Sequence, residues 1–325
     1  MYFKKSPCIG VCVIDKTSPY CHGCMRSSDE LCVWKNLSFD EKKSRWMQVG
    51  ERRSLFPGPS LIRDQLKRLI PLTSPVQRLV SLVPSLTQTL YDLELATSLV
   101  GATVFCPALP SQLAHEQKLI PIGGTKKLNL ARIRALQPEL IIANKEENIQ
   151  QDIETLAAEF PVWVSDVVSV DEGINVIWLL GEYLNRQAQA LRLVDGIMKE
   201  LPPPIFSHEN SLRFAYLVWS KPWMVAARGT FIDNWLGRFG LHNCFSQYDR
   251  YPSIALEQLI AAKPDVVLLP DEPYSFSEKE RSSLQALLPL SKVLLVSGRH
   301  CSWYGSPMGD GAPYLRDLVS TKVQP

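Results

Sequence analysis

Two stretches of this chain repeat one pattern at a constant offset of 126 residues. The first is Leu130–Ile142 and the second is Leu256–Leu268. Each is typical of a short helix, a turn made by proline and an acidic residue, and a strand rich in branched apolar side chains. A repeat of this length indicates two similar α/β lobes, because solenoid repeats recur at about 20–50 residues.

Each copy of the repeat follows an earlier buried strand, at Leu79–Val83 in the first lobe and Phe214–Val218 in the second. Strands that alternate with helices predict parallel sheets with helices on both faces. Between the lobes, apolar residues recur at helical spacing over residues 171–201, and Pro202 ends the pattern. We expect one bridging helix of about 30 residues, ~45 Å long, and a cleft between the lobes.

The predicted architecture is α/β, with two Rossmann-like lobes joined by one long helix and preceded by a small cysteine-rich metal-binding module. The prolines and glycine that follow Phe56 cannot continue a helix and mark a joint. The expected segments are the cysteine-rich module at 1–56, a linker at 57–75, the first lobe at 76–170, the bridging helix at 171–201 and the second lobe at 202–325.

Charge also separates the N-terminal segment from the rest of the chain. Residues 1–75 carry 13 Lys and Arg against 7 Asp and Glu, whereas residues 76–325 carry 22 against 26. The formal charge of the whole chain is +2, which gives no reason to expect nucleic-acid binding. No apolar run reaches the ~18 residues of a membrane span, and the first residues lack the apolar stretch of a signal peptide. We expect a cytoplasmic protein with no membrane partner.

Four of the eight cysteines lie within the first 24 residues: Cys8, Cys12, Cys21 and Cys24. Four thiolates on a short loop suit a tetrahedral zinc site or an iron–sulfur cluster, and the spacing leaves both open. A segment of about 50 residues has a small core that a metal would stabilise. We therefore predict zinc or an iron–sulfur cluster at these four cysteines; the alternative is four free thiols.

The residues around these cysteines resemble a known family. The stretches Ser6–Cys12, Tyr20–Arg26 and Asp29–Trp34 are similar to a small bacterial cysteine-rich domain of unknown function, often described as a predicted iron–sulfur protein. The resemblance covers about residues 5–55. Because that family has no established activity, the resemblance implies a module and no function.

The repeat region resembles a second family. The stretches that carry the resemblance are Arg78–Ser85, Val100–Gly101, Asn129–Ile142 and Gly240–Asn243. They are similar to metal-chelate substrate-binding proteins with a helical backbone, a group that includes the iron–siderophore, haem and cobalamin receptors of import transporters. The resemblance covers about residues 77–319, and further stretches resemble a cytoplasmic branch of this superfamily.

One position departs from the pattern of the cobalamin receptors. In those receptors each lobe presents a surface glutamate that docks onto the permease. The first-lobe position is Ala131 in this sequence, whereas the second-lobe glutamate is present as Glu257. The resemblance therefore implies a receptor fold, but the missing carboxylate argues against an import permease as partner.

Carboxylates and aromatic residues follow the predicted strands, where open parallel sheets bind their ligands. Glu146 and Glu272 are again 126 residues apart, so the repeat places them at equivalent strand ends. A facing pair can bind a metal, a cationic group or a proton; the alternative is that each caps the following helix. The predicted ligand-binding residues are Phe105, Glu146, Glu147, Asn148, Trp219, Trp223, Arg228, Tyr251, Glu272, Tyr274, Trp303 and Tyr304.

The aromatic residues of this set offer rigid apolar area for a flat ligand such as a corrin, a porphyrin or an aromatic chelate. By the resemblance, Phe105 and Tyr251 align with cleft aromatics of the cobalamin receptors, and Trp303 aligns near another. The alternative is that several of them only pack the lobes together. Arg228 is expected to meet ligand carboxylates.

These features favour a cytoplasmic binding protein for a metal chelate or tetrapyrrole-like ligand of the cobalamin, haem or iron–siderophore class, held in the inter-lobe cleft. The alternative is a redox enzyme that acts on a cleft-bound metal chelate with an N-terminal iron–sulfur cluster, for which His300 and Cys301 are available. No P-loop or dinucleotide-binding fingerprint supports an enzyme. In a third hypothesis, the basic N-terminal segment recruits the binding protein to a partner.

Overall fold

The computed structural model of the protein describes residues 6–14, 18–55, 59–113, 118–203 and 211–323. The chain divides into two compact units. Unit 1 comprises residues 1–166 and 174–195, and unit 2 comprises residues 167–173 and 196–325. Of the helices in the described ranges, none is both long enough and apolar enough to cross a membrane.

Unit 1 contains a small N-terminal region followed by alternating strands and helices. Its elements are, in chain order, α1 (Ser28–Val33), α2 (Phe39–Leu55), β1 (Pro59–Arg63), β2 (Leu69–Thr73), β3 (Leu79–Ser81), α3 (Pro84–Asp92), β4 (Leu99–Ala102), β5 (Ile120–Pro121), β6 (Gly123–Gly124), β7 (Lys127–Leu128), α4 (Leu130–Ala135), β8 (Leu140–Asn144), α5 (Gln150–Ala157), β9 (Val162–Ser165), α6 (Val170–Tyr183) and α7 (Gln187–Glu200). The first residues of α6 and the last of α7 belong to unit 2.

The main sheet of unit 1 is parallel, with strand order β5-β4-β3-β8-β9. Every residue of β3 and β8 is buried. Strands covered on both faces need continuous apolar runs, which the sequence supplies in both strands. The parallel sheet predicted for the first lobe is confirmed.

Unit 2 is built around a mixed sheet. Its further elements are β10 (Leu212–Trp219), β11 (Trp223–Val225), α8 (Phe231–Arg238), β12 (Leu241–Asn243), β13 (Ser253–Ile254), α9 (Leu256–Ala262), β14 (Val266–Pro270), α10 (Glu278–Leu287), β15 (Lys292–Val296), α11 (Gly298–Ser302), α12 (Met308–Asp317) and a π-helical turn at Leu318–Val323. The strand order is β13-β11-β10-β14-β15, with β12 also beside β10. The strands β10, β12, β14 and β15 are parallel, while β11 and β13 run antiparallel at one side.

The sequence repeat corresponds to the same pair of elements, a helix followed by a strand, in both units. In unit 1, α4 leads into β8, which lies beside β3. In unit 2, α9 leads into β14, which lies beside β10. The two α/β lobes predicted from the 126-residue offset are therefore present.

The single bridging helix predicted over 171–201 is wrong, because α6 ends at Tyr183 and α7 begins at Gln187. Asn185 has a positive φ of 54°, a left-handed conformation that asparagine tolerates and that ends a helix. A Cβ on Gly181 would lie 2.5 Å from the Cβ of Ala190, so the two helices approach closely at this glycine. The apolar periodicity continues across the break because both helices bury one face, and this continuity suggested one helix.

The segment predicted as a linker contains an antiparallel hairpin formed by β1 and β2. Ile62 and Leu72 point into the core and are 0% and 1% exposed. The alternation of buried and exposed residues in β2 is the pattern of a half-buried strand. Pro71 lies within β2 and hides that pattern in the sequence, since proline usually interrupts a strand. Of the expected joint, residues 56–58 lie outside the described residues.

The N-terminal helix α2 is packed into unit 1 through Trp46. The indole of Trp46 is 1% exposed and contacts Trp178 of α6 edge-to-face, with ring centroids 5.1 Å apart. Its Nε1 donates to Oε2 of Glu182, also on α6, at 2.8 Å. A Cβ on Gly50 would overlap the side chain of Gln187, so glycine is required where α2 meets α7. The cysteine-rich region therefore shares its core with the first lobe.

Candidate functional site

The loop after β8 carries the predicted polar residues of unit 1 and is held by two buried amides. Oδ1 of Asn144 accepts from the backbone N–H groups of Glu146 (2.8 Å) and Glu147 (2.9 Å). Oδ1 of Asn148 accepts from the backbone of Asn144 (2.9 Å), and its Nδ2 donates to the carbonyl of Thr125 (3.2 Å). Asn148 is thus a positioning residue of this loop, whereas Glu146 and Glu147 are half-buried at its turn.

Neither repeat-related glutamate is the N-cap residue of the helix that follows it. In unit 1, α5 begins after Ile149, which makes no side-chain cap. In unit 2, Ser277 caps α10 by accepting from the backbone of Glu280.

Phe105 is the one aromatic residue of the predicted ligand-binding set that lies in unit 1. Its side chain is 65% exposed and lies over Gly124, where a Cβ would come within 3.0 Å of the ring. The neighbouring Cys106 thiol contacts the hydroxyls of Thr87 (3.0 Å) and Thr103 (3.1 Å). Burial raises the pKa of this thiol, so it stays protonated at neutral pH.

In unit 2, Glu272 and Trp303 are brought together at the carboxyl ends of the parallel strands. The half-buried carboxylate of Glu272 accepts a hydrogen bond from the Trp303 side chain. Burial raises the pKa of Glu272, and the indole hydrogen bond opposes this shift. The guanidinium of Arg299 lies over the Trp303 ring, 5.5 Å from its centroid. The sequence analysis missed Arg299, which no motif distinguishes from an ordinary surface arginine.

Four aromatic side chains form a second cluster in unit 2, which we call the aromatic cluster: Trp219, Trp223, Tyr274 and Phe276. Trp219 contacts Tyr274 edge-to-face at 5.3 Å, Tyr274 contacts Phe276 at 4.7 Å, and Trp223 stacks on Phe276 at 6.4 Å between centroids. Phe276, which the sequence analysis missed, is buried, whereas Trp219 is 42% exposed. The cluster thus exposes the indole of Trp219, which packs against the other rings.

The structure places the remaining predicted residues of unit 2 in three different environments. Tyr304 is 5% exposed and packs on Phe231, so its ring belongs to the core. Tyr251 is half-buried. Arg228 is exposed and pairs with Asp249 at 2.8 Å.

A polar cavity of about 470 Å³ lies in unit 2 beside Arg228. Its other lining residues include Asp171, Asp233, Arg238 and His242. No other predicted ligand-binding residue lines it. Arg228 is therefore not grouped with the strand-end aromatic residues.

The two residues named for a redox enzyme, His300 and Cys301, are packed against neighbouring side chains of unit 2. Nδ1 of His300 is 2.8 Å from the Ser297 hydroxyl, and its ring stacks on Tyr314 at 4.6 Å. Burial lowers the pKa of His300 and raises that of the Cys301 thiol, whose side chain is fully buried. Both groups are therefore uncharged at neutral pH.

The sequence profile of the family described as periplasmic binding protein matches residues 79–286. The match covers the repeat, the main sheet of unit 1 and all strands of the unit 2 sheet except β15, which is more than half of the chain. The chain belongs to this family. A second profile, described as a protein of unknown function (DUF1289), matches residues 6–53. Both resemblances predicted from the sequence are confirmed.

Relatives and solved structures agree with this assignment. The vitamin B12-binding protein of Pectobacterium carotovorum is 25% identical over 203 residues, which cover 61% of this binding protein and 72% of the relative. The periplasmic heme-binding protein BhuT in complex with two hemes superposes with a TM-score of 0.62 at 19% identity, covering 76% of this chain and 99% of that chain.

An ABC-type Fe3+-hydroxamate transport system structure from Saccharomonospora viridis has a TM-score of 0.64 at 16% identity, covering 81% of this chain and 99% of that chain. At such identities these structures show a shared fold. The predicted α/β fold of the binding protein is thus confirmed.

The cysteines of the N-terminal module differ in exposure. Cys8 and Cys12 are exposed, whereas Cys21 and Cys24 are buried. The Cys12 thiol interacts by hydrogen bonding with Cys21, and Cys21 does so with Cys24. Nε of Arg26 donates to the sulfur of Cys24 at 3.3 Å. In the ranges that the structure describes, no group of three or more His, Cys, Asp or Glu side chains is arranged to hold a metal ion.

Burial opposes ionisation of both buried thiols, but their net pKa shifts differ in direction. For Cys21 it opposes ionisation, but backbone hydrogen bonds around Cys24 outweigh it and lower the pKa of the thiol. For Cys24 burial dominates and raises the pKa, although the Arg26 side chain acts against it. Cys21 is thus the more acidic thiol of the buried pair.

Proposed function

We propose that this protein binds a metal chelate or tetrapyrrole-like ligand of the cobalamin, haem or iron–siderophore class through the loops at the carboxyl ends of its parallel strands. The family assignment and the names of the relatives support a small-molecule binding protein. The observation that carries the proposal is the Glu272–Trp303 pair, a half-buried carboxylate bound to an indole at the strand ends of unit 2. The cleft predicted from the repeat remains part of the proposal.

The aromatic cluster supports a flat ligand. Trp219 is exposed on one side, while its other contacts are fixed by Tyr274. The hydroxyl of Tyr274 donates to Glu280 at 2.6 Å, which holds the supporting ring in place. A rigid exposed indole gives contact area at small entropic cost, which is how binding sites recognise planar ligands.

Calorimetric titration with cobalamin, haem, a ferric catecholate and free divalent metals tests the proposal. We expect one chelate to bind, and Trp303→Ala to weaken that binding by about 2 kcal/mol, roughly 30-fold. Tyr248→Phe is the matched control, because Tyr248 is an exposed aromatic residue of unit 2 outside the predicted site. The proposal fails if nothing in the panel binds more tightly than about 100 µM, or if Trp303→Ala binds as the wild type does.

We further propose a cytoplasmic location and no import permease as partner. All eight cysteines are free thiols, which suits a reducing compartment. Ala131 is exposed on α4, where the resemblance expects a docking carboxylate. Fractionation with antibodies against the protein is expected to find it with cytosolic markers. A periplasmic pool or a stable permease complex would contradict this.

For the N-terminal module we propose zinc or an iron–sulfur cluster held by Cys8, Cys12, Cys21 and Cys24. The donor chemistry fits a thiolate-bound group, because the thiols of Cys12, Cys21 and Cys24 form a hydrogen-bonded series. The fully buried Arg53 guanidinium faces Cys21 and Cys24 electrostatically and would balance their negative charge. When bound, such a group would supply either a structural crosslink or a one-electron carrier.

Elemental analysis and absorption spectra after anaerobic purification test the metal. We expect zinc or iron near one equivalent or cluster per chain, and Cys21→Ser to lose it. Cys32→Ser is the control, since Cys32 is exposed and outside the four-cysteine pattern. A metal-free wild type, or equal metal content in both variants, would refute this assignment.

A further inference from the structure

The polar cavity of unit 2 is a second place where this protein can hold a small molecule. Its volume of about 470 Å³ falls within the range of roughly 300–1,000 Å³ that is typical of small-molecule sites. Its walls are the start of α6, one side of α8, and β12 with the residues around it. Among the described residues predicted to bind the chelate, only Arg228 lines it, so the cavity is distinct from the strand-end residues.

Side-chain hydrogen bonds hold the three walls of this cavity together. Oδ1 of Asn234 on α8 accepts from the backbone N–H of Val170, the first residue of α6, at 2.9 Å. Nδ2 of Asn243 on β12 donates to Oδ1 of Asp233 on α8 at 2.8 Å. Asn243 is itself buried. The cavity is therefore formed before any ligand arrives, which lowers the entropic cost of binding.

The charged side chains of the lining divide into two groups. Arg228 pairs with Asp249 at 2.8 Å, and Asp233 accepts the amide hydrogen bond from β12. Arg238 on α8 and Asp171 on α6 line the cavity from different walls. Within the described ranges, neither of these two side chains makes a hydrogen bond or an ion pair, and they are not paired with each other. The cavity thus contains one cation and one anion that a ligand could engage.

The geometry of these two groups suits a ligand that carries both charges. Nε of Arg238 is enclosed by protein, and the side chain as a whole is half-buried. A guanidinium presents a planar set of donors that matches a carboxylate. The Asp171 carboxylate is exposed and can accept from an ammonium group. Because Val170 and Leu241 are the apolar side chains of the described lining, a small or polar ligand fits best.

We propose that this cavity binds a small zwitterion of the amino-acid class, with its carboxylate on Arg238 and its ammonium group on Asp171. A ligand with a single charge would leave the other side chain without a partner, and would therefore gain less from the site. The inference goes beyond the proposed function, since it uses none of the strand-end residues. Chelate binding and amino-acid binding can thus fail or succeed independently.

Calorimetric titration of the full chain with L-serine and L-glutamine tests this site. We expect at least one of them to bind with a Kd below about 1 mM. Its N-acetyl derivative, its carboxamide and acetate each lack one of the two charges and should bind about 10-fold more weakly or worse. Arg238→Gln and Asp171→Asn should weaken the binding of the amino acid by a similar factor, whereas Trp303→Ala should bind it as the wild type does.

Arg213→Gln is the matched control, because Arg213 is exposed on β10, is paired in the sheet with His242, and does not line the cavity. Thermal unfolding without ligand checks that each variant is folded, and the derivatives test the wild type whatever the variants do. The inference is overturned if neither amino acid binds at that level, or if acetate binds as tightly as the amino acid, which would indicate a simple anion site. It is also overturned if folded Arg238→Gln and Asp171→Asn bind as Arg213→Gln does.

Discussion

Units 1 and 2 contain the same helix–strand repeat but surround its end with different chemistry. In unit 1 the loop after β8 is fastened by the buried amides of Asn144 and Asn148, and unit 1 also carries the N-terminal module. In unit 2 the loop after β14 carries a half-buried glutamate, an indole and the aromatic cluster.

We expect the paired amides of the unit 1 loop to stabilise the fold, and we propose that the strand-end groups of unit 2 contact the ligand. Paired buried polar groups rigidify a loop, while desolvated or unpaired groups in a native structure often mark a functional site. Changes in unit 1 are therefore expected to act mainly on stability, and changes at the strand ends of unit 2 mainly on binding.

The largest effect is expected at Trp46, which joins the N-terminal module to α6. Trp46→Ala removes a fully buried indole and should lower the free energy of unfolding by about 3–5 kcal/mol. Trp46→Phe keeps much of the ring and isolates the hydrogen bond to Glu182. Urea denaturation measures the loss, and hydrogen exchange should place it in peptides of unit 1.

The control for Trp46→Ala is Leu55→Ala, because Leu55 lies on the same helix and is 73% exposed. An equal loss of protection in both units, or a Trp46→Ala protein as stable as the control, would break the distinction between them.

The second effect concerns Glu30, which lies almost fully buried in the N-terminal module. Burial opposes its charge, but hydrogen bonds from Arg52, Arg45 and the Ser27 backbone outweigh this and lower its pKa to about 2. Its stabilisation is complete above its ordinary pKa of 4.5 and is lost as the pH falls from there toward about 2.

Glu30→Gln should cost about 3 kcal/mol at neutral pH, because two guanidinium groups lose their shared carboxylate. The difference in unfolding free energy between Glu30→Gln and wild type should shrink as the pH is lowered from 5 to 3. Glu51→Gln, an exposed position on α2, serves as control. A difference that does not depend on pH would show that the ion pairs are not its source.

A smaller effect is expected at Asn148, which holds the loop of unit 1. Asn148→Ala leaves the backbone N–H of Asn144 and the carbonyl of Thr125 without their partner and should cost about 2 kcal/mol. Hydrogen exchange at the Asn144 amide should accelerate. Asn148→Asp keeps the acceptor for that amide and should protect it better; faster exchange in Asn148→Asp than in Asn148→Ala would contradict this role.

The smallest effect is expected at Phe105. Its side chain is 65% exposed, so Phe105→Ala should leave the unfolding free energy within about 0.5 kcal/mol of wild type. If the ligand engages mainly unit 2, the loss of chelate affinity should also be smaller than for Trp303→Ala in the same calorimetric panel. A larger loss for Phe105→Ala would reverse the comparison of the two units.

Local sequence patterns were sufficient to predict the helices and strands of the repeat. The strands β8 and β14 follow their helices as the apolar runs predict, because buried parallel strands need continuous branched residues. The break between α6 and α7 was hidden, since the apolar face continues past Asn185. The hairpin of β1 and β2 was hidden by Pro71.

The candidate site likewise contains residues that could be predicted from the sequence and residues that could not. Residues after predicted strands, such as Glu272 and Trp303, could be named because the ends of parallel strands meet at one edge of a sheet. Arg299 could not, since an arginine on a short helix carries no local signal. Tyr304 carries the same signal as Trp303 but is buried against Phe231.

Residue order and spacing were therefore enough to predict the repeat, the α/β class and the family, because each can be read from the order of residue types along the chain. Tertiary structure decided which polar groups are satisfied. The amide of Asn148 is paired within its loop, and the ring of Tyr304 is buried against Phe231 although the adjacent Trp303 is only half-buried. Hydrogen bonds and burial depend on neighbours far away in the chain, and only the folded packing brings those neighbours into contact.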